Sequence, residues 1–321
     1  MSRLDVTTSV PVFPRECPAR ARARRVPPAS EAPLPARAST LVGQQVGHFR
    51  LLRELGRGGL GTVLLAEHAL IQKRVAIQVL HAHVAQDSAR VAGFLQAART
   101  LTLIQHANIV SLYDLGMRDG RPYLVREYLE GQSLAAFARG RLASALVVDL
   151  LTQVCDALSA AHAHGIAHGS LNASNIFLVP DAQGRQHVKL LDFGIAGLLP
   201  PAEGTPECSV PADLHAVGLL GALLVAGRLG ARGLPAEAPL PGHAREPPPL
   251  PPDLPSALSR VLLKAMARRP VDRYTSATAL RDALQASVAL DGGAPPEALG
   301  LEPLPSWFMS LGSPGAAPAS R

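Results

Sequence analysis

A glycine-rich turn set between two β-forming runs constrains this chain more than any other feature. Gly56-Arg-Gly58-Gly-Leu-Gly61 follows the stretch His48-Phe-Arg-Leu-Leu-Arg-Glu-Leu and leads directly into Thr62-Val-Leu-Leu-Ala-Glu. A G-x-G-x-x-G turn that opens a helix is a dinucleotide fingerprint. Here a β-type run follows instead, so the chain must place the glycine turn between two strands, which excludes the dinucleotide arrangement.

The rest of the chain falls into a β-rich part and a helical part. After the glycine turn come the β-type run Arg74-Val-Ala-Ile-Gln-Val-Leu, a helical stretch from Ser88 to Ile104, and further β-type runs at Ile109 to Leu115 and Pro122 to Tyr128. Beyond Gly131 the period becomes helical. Ser144 to His164 reads as a long amphipathic helix with Ser144 as its N-cap. Ile176 to Val179 and Val188 to Leu191 flank a polar turn as in a hairpin, Leu214 to Gly227 reads as an apolar helix, and Pro-rich sequence fills Leu234 to Pro255. Two last helices are expected over Ser256 to Arg268 and Ser276 to Leu290.

Residues 1–45 and 291–321 lack apolar periodicity and are rich in Pro with Ala, Arg or Gly, so both are expected to be disordered segments flanking one domain over 46–290. The formal net charge is +6, and seven Arg against three acids put +4 of it in residues 1–45. A single aromatic residue, Phe13, lies among these Arg residues, which is little support for a nucleic-acid surface, so no nucleic-acid partner is expected. Cys17, Cys155 and Cys208 form no metal spacing, and the odd, scattered count fits a reducing compartment. The longest apolar run, Ala216 to Ala226, is short of the ~20 residues a membrane span needs. With no apolar leader among the first residues, the expectation is a cytoplasmic protein without a membrane span.

A series of motifs in fixed order then resembles the bacterial, eukaryotic-like Ser/Thr protein kinase family over about residues 46–290. Gly56 to Val63 matches G-x-G-x-x-G-x-V, and Val75-Ala76-Ile77-Gln78 resembles V-A-I-K. His106-Ala-Asn-Ile-Val resembles H-P-N-I-V, and Tyr123-Leu-Val-Arg-Glu127-Tyr-Leu-Glu-Gly131 resembles the hinge between lobes. His168-Gly-Ser170-Leu-Asn-Ala-Ser-Asn175 is similar to H-R-D-L-x-x-x-N, and Asp192-Phe193-Gly194 is D-F-G. Asp213 with Gly218 resembles the start of the central helix of the second lobe, and Arg269-Pro-Val-Asp-Arg273 resembles a late D-P-x-x-R. The resemblance implies an α+β, bilobal fold with a small β-rich N-lobe over about 46–128 and a larger helical C-lobe over about 129–290.

The same resemblance exposes departures. Phosphoryl transfer in this family is mostly positioning and charge neutralisation. Gln78 stands at the phosphate-binding Lys, Ala97 at its Glu partner, Ser170 at the catalytic Asp and Asn172 at the catalytic-loop Lys, with Gly169 at the Arg before the Asp. The segment from Asp192 to Asp213 is short and holds no A-P-E, although Gly204-Thr-Pro206-Glu207 resembles a relic of that stretch. No catalytic set is intact, and the expectation is a pseudokinase acting as a regulatory or scaffolding module for a protein partner. The alternative is an ATP-dependent Ser/Thr kinase in which Arg57, Lys73 or Arg74 replaces the missing Lys.

Other positions match the family's nucleotide site. Gly56, Gly58, Gly61, Val63, Ala76, Glu127, Leu129 and Phe177 correspond to residues around the nucleotide, and Asn175 and Asp192 to the two metal-binding positions. These imply ATP with Mg, bound weakly or not at all. Arg126 is the anomaly. Alternation along Tyr123 to Glu127 puts Leu124 and Arg126 on one face, and the resemblance turns that face toward the pocket. A buried guanidinium needs a partner, so Arg126 is expected either to fill the pocket and pair with Asp192 or Gln78, or to snorkel past the helix to solvent. In the tail, Leu304-Pro-Ser-Trp307-Phe308-Met309 is a candidate linear motif.

Overall fold

A computed structural model of the chain describes residues 41–193, 209–229 and 248–290, with the side chains of 289 and 290 left aside. The expected disorder of residues 1–40 and 291–321, the Trp307 motif, Gly194, the Gly204–Glu207 stretch, Cys17, Cys208 and most of the Pro-rich loop lie outside the described residues.

The first part is a six-stranded antiparallel sheet in the order β1-β2-β3-β4-β6-β5. Its strands are β1 (Gln45–Val46), β2 (Phe49–Arg57), β3 (Gly61–His68), β4 (Arg74–Leu80), β5 (Leu112–Arg118) and β6 (Arg121–Glu127). Two helices lie between β4 and β5: the single turn α1 (Ala82–Ala85) and α2 (Ser88–Leu101). The two faces of the sheet bury different residues. Val46, Leu51, Leu64, Ile77, Tyr123 and Val125 form one cluster. Leu80 and Leu124 pack on the other face with Phe94 and Ala98 of α2. The period-2 alternation of a strand produces this division.

The domain begins earlier than Val46. Leu41 packs on the first cluster, and the Gly43 amide donates to the Leu51 carbonyl at 2.9 Å. Residues 41–45 therefore belong to the sheet's edge; the polar, glycine-bearing sequence there gives no apolar period to find. The helix expected from Ser88 starts there but ends at Leu101, with Asp87 as its cap: the carboxylate accepts from the Ala89 and Arg90 amides.

The second part is helical around a small three-stranded sheet. Its elements are β7 (Gln132–Ser133), α3 (Leu134–Phe137), α4 (Ser144–Ala163), β8 (Ile176–Pro180), β9 (Gln186–Leu190), α5 (Val210–Ala226), α6 (Ser256–Ala265) and α7 (Ala277–Leu290). Helix α4 is long and apolar enough to cross a membrane by length and composition. Instead it is a core helix: Val147, Leu150, Leu151, Val154, Leu158 and Ala161 are fully buried at helical spacing against α5 and α7. Ser144 does not cap it. Ala143 holds the cap position, with no side-chain hydrogen bond, and Ser144 is already helical. Helix α5 begins four residues before Leu214, where the Ser209 hydroxyl accepts from the Ala212 amide. Gly221 lets it pack tightly, since a Cβ there would lie 2.6 Å from Leu262 Cδ2 and 2.8 Å from Leu151 Cδ1. This packed unit is what holds the 168–175 loop and Asp192 in place.

Candidate nucleotide pocket and the pair that fills its charge position

The glycine turn closes through the Gly58 amide, which donates to the Gly61 carbonyl at 2.9 Å. Gly56 and Gly58 are exposed, and a Cβ at either would touch nothing within 4 Å. Gly61 is different: it is buried in the β3–β4 ladder, where a Cβ would fall 2.3 Å from the Val79 carbonyl oxygen. Close strand pairing therefore requires Gly61, whereas Gly56 and Gly58 leave the turn open to a ligand's backbone approach.

Behind the turn, the paired positions run Val63 opposite Gln78, Gln78 opposite Leu124, and Ala76 opposite Arg126. Residues paired across antiparallel strands share a face, so Ala76, Gln78, Leu124 and Arg126 look the same way, toward α2. Ala97 of α2 packs against the apolar cluster there and offers no carboxylate. Gln78 is 6% exposed, and its Oε1 has no hydrogen-bond partner among the described residues. A neutral acceptor thus stands where a cation would meet phosphate.

The 168–175 loop is tied down by its own amides. Asn172 Nδ2 and Asn175 Nδ2 each donate to the Ser170 carbonyl at 2.9 Å, and Asn172 Oδ1 accepts from the Ser174 amide at 2.8 Å. The Ser170 hydroxyl lies 3.5 Å from His168 Nδ1. Burial pushes the His168 imidazole below its ordinary pKa, although Asp213 and Asp192 oppose the shift. His168 stacks on Phe193, with ring centroids 4.5 Å apart, and both are buried. His168 is fully buried against Phe193, and the serine hydroxyl left at this point is a weak acceptor for an alcohol proton.

Asp213 anchors this loop from α5. Its Oδ2 accepts from the His168 amide at 2.7 Å and lies 2.9 Å from His162 Nε2, and its Oδ1 accepts from the Gly169 amide at 2.9 Å. The loop also meets the strand before Asp192: the Leu191 amide donates to the Asn175 carbonyl at 2.9 Å. Asp192 itself has φ 59°, in the left-handed region that Asp tolerates better than most residues.

Arg126 does not snorkel outward. Its Nη1 donates to Asp192 Oδ1 at 2.7 Å, with the arginine side chain 11% and the aspartate side chain 30% exposed. The sequence leaves Asp192 and Gln78 open as partners, and the structure pairs Arg126 with Asp192. The other cations considered for the pocket are held elsewhere. Arg57 pairs with Glu54 at 3.1 Å, Lys73 lies over the Tyr113 ring at 4.3 Å, and Arg74 pairs with Glu130 at 3.6 Å.

This arrangement with its neighbours carries the family assignment: a glycine turn between strands, a loop anchored by Asp213, and the stacked His168 and Phe193 beside Asp192. The family model described as "Protein kinase domain" matches residues 49–229. The chain belongs to the protein kinase family. Among relatives of the kinase chain, the serine/threonine-protein kinase Pkn1 of Myxococcus xanthus is 44% identical over 282 residues, covering 80% of this chain and 41% of that protein. PrkC of Bacillus subtilis is 30% identical over 263 residues, covering 74% of this chain and 40% of that protein. The chain thus spans about two fifths of the length of these curated relatives. The solved kinase domain of Mycobacterium tuberculosis PknI matches with a TM-score of 0.63 at 28% identity, covering 78% of this chain and 100% of that one.

The family implies ATP and a divalent metal. The residues here fit that pair poorly. Asp192 is already matched by a guanidinium, and Gln78 brings a neutral amide, its Oε1 unpartnered among the described residues, in place of a cation. Leu129 is half-buried just beyond β6, and Phe177 of β8 is half-buried opposite Lys189.

One functional-looking residue, Lys189, escapes sequence reasoning, and the partners of Arg273 escape it too. Lys189 Nζ pairs with Glu127 Oε2 at 2.9 Å, so the Glu127 side chain holds the strand before Asp192 against the hinge. Only the β-character of Val188 to Leu191 hinted at that strand, and nothing local signals a partner 62 positions away. Arg273 donates to the carbonyls of Pro211 and Ala267, each at 2.8 Å, so backbone oxygens on α5 and after α6 accept its charge.

Proposed function

We propose that this kinase domain is impaired in phosphoryl transfer and works as a regulatory or scaffolding module that binds a protein partner, in a reducing, cytoplasmic setting. The observation that carries the reading is the 168–175 loop. It is held in place by Asp213, yet presents Ser170, hydrogen-bonded within its own loop, where the family's chemistry needs a carboxylate base. General-base catalysis contributes about 10²–10⁴-fold, and a missing phosphate-binding cation adds to the loss without multiplying simply. The buried, free Cys155 fits a reducing compartment.

The reading is tested by phosphate transfer from ATP to the chain itself and to a generic protein substrate. Typical kinases turn over at about 1–100 s⁻¹. The expected rate is far below about 1 s⁻¹, and Ser170→Asp with Gln78→Lys leaves it below the normal range. A wild-type rate above about 1 s⁻¹ contradicts the reading.

The second reading is an ATP-dependent Ser/Thr kinase with unusual active-site residues. The 44% identity to a protein named as a serine/threonine kinase favours it, as do Asn175 and Asp192 at the metal-binding positions. The same assay separates the two.

A further inference from the structure

Arg126 sits where its strand's alternation forces it. Tyr123 and Val125 pack into the cluster on the outer face of the sheet, and Leu124 packs with Phe94 and Ala98 of α2 on the inner face. The next inner position is Arg126, which is 9% exposed. Among the paired inner positions Val63, Ala76, Gln78 and Leu124, none offers a charge. The guanidinium reaches past them and meets Asp192 at 2.7 Å.

The consequence concerns what else Asp192 can hold. A carboxylate that already accepts a charge-assisted hydrogen bond from a tethered cation is neutralised. A divalent ion approaching the same carboxylate would face the guanidinium at close range, where like charges repel. The second observation is independent of that pair. Gln78 Oε1 is buried on the same face and, among the described residues, has no hydrogen-bond partner. An orphaned acceptor calls for a hydrogen-bond donor, which a metal-bound triphosphate does not bring to that point. The charge pattern is thus set against a metal-bound nucleotide at both places where the kinase family supplies or coordinates positive charge.

We infer that Arg126 is the resident cation of the Asp192 position, and that it excludes metal-bound nucleotide from the pocket as long as the Arg126–Asp192 pair is closed. The inference rests on the impaired-transfer reading only for which pocket is concerned. Removing the guanidinium returns Asp192 to metal binding. Removing the carboxylate instead frees the guanidinium, which then recruits polyphosphate without any metal.

The test is thermal unfolding of the full chain with a non-transferable ATP analogue at millimolar concentration, with Mn²⁺ or with a chelator. An open site at about 100 times its Kd shifts the midpoint of a domain this size by about 5 °C or more. The wild type is expected to shift by less than about 1 °C under both conditions. Arg126→Met is expected to gain about 5 °C or more with Mn²⁺ and to lose it with chelator. Asp192→Asn is expected to gain a shift with inorganic tripolyphosphate in chelator, and it decides the matter should Arg126→Met not fold. A wild-type shift of that size that depends on Mn²⁺ and is unchanged in Arg126→Met overturns the inference. So does a folded Arg126→Met that gains nothing, or an Asp192→Asn that ignores tripolyphosphate. Because the analogue cannot be transferred, binding is read apart from turnover. A wild type that binds it with Mn²⁺ but transfers nothing from ATP contradicts this inference and leaves the impaired-transfer reading standing.

Discussion

Asp213 and Asp192 both stand beside the same loop, and the molecule satisfies them in opposite ways. The Asp213 side chain is 2% exposed and is matched by two backbone amides and the His162 ring. The Asp192 side chain is 30% exposed and meets a single side-chain cation brought from β6. A carboxylate held by backbone amides is part of the fold itself, because those amides belong to a loop that needs the acceptor. A carboxylate held by a replaceable side chain is available to chemistry, and its partner decides which chemistry. The kinase frame therefore persists at His168 and Asp213 in the residue types of the family motif, while the charges around Asp192 are rearranged: Gln78, Ala97 and Ser170 supply none, and Arg126 supplies one.

Removing the anchor is the strongest way to challenge this comparison. Asp213→Ala leaves the His168 and Gly169 amides and His162 Nε2 without their acceptor in a buried place. The expected cost is about 3–5 kcal/mol of stability in denaturant unfolding. Asp192→Ala should cost clearly less, since that carboxylate is partly solvated. Equal costs for the two would erase the distinction between a structural and a chemical aspartate.

A smaller effect sharpens the anchored side through pH. The folded protein holds His168 neutral by burying it, whereas the unfolded chain protonates it near the ordinary value of about 6.5. Below that pH the unfolded state binds more protons, so stability falls as pH falls, by up to about 1.4 kcal/mol per pH unit for this one group. His168→Phe keeps a ring against Phe193 and should flatten the loss below about pH 6.5. An unchanged acid slope in that variant would mean that other groups set it.

Much of this architecture is legible in the sequence, and particular residues show why. The glycine turn announces two strands because Thr62, Val63 and the following apolar residues have no helical period, and the sheet pairs β2 with β3 around it. The alternation from Tyr123 to Glu127 is enough to put Arg126 on the α2 face, and scarcity of charge there narrows its partners to two. The helix boundaries are less legible. Ser144 has the right chemistry for a cap, but the backbone turns helical one residue earlier than that role requires, and Asp87 caps α2 from a position that reads as loop. Pairs that depend on the lobes coming together, such as Glu127 with Lys189, have no local signature at all. Arg273 shows the same limit: nothing in the sequence around it points to the Pro211 carbonyl, 62 positions away, that accepts from it.

The pair between Arg126 and Asp192 is where the two halves of the comparison meet, and a double-mutant cycle measures it directly. Stability is determined for the wild type, Arg126→Met, Asp192→Asn and the double variant, without nucleotide or metal. Residues in direct contact couple by about 0.5–3 kcal/mol, and this nearly buried, charge-assisted contact is expected to give about 1 kcal/mol or more of favourable coupling. Coupling within about 0.3–0.5 kcal/mol of zero, the range of independent sites, would mean that Arg126 does not hold Asp192 in solution and would contradict the account.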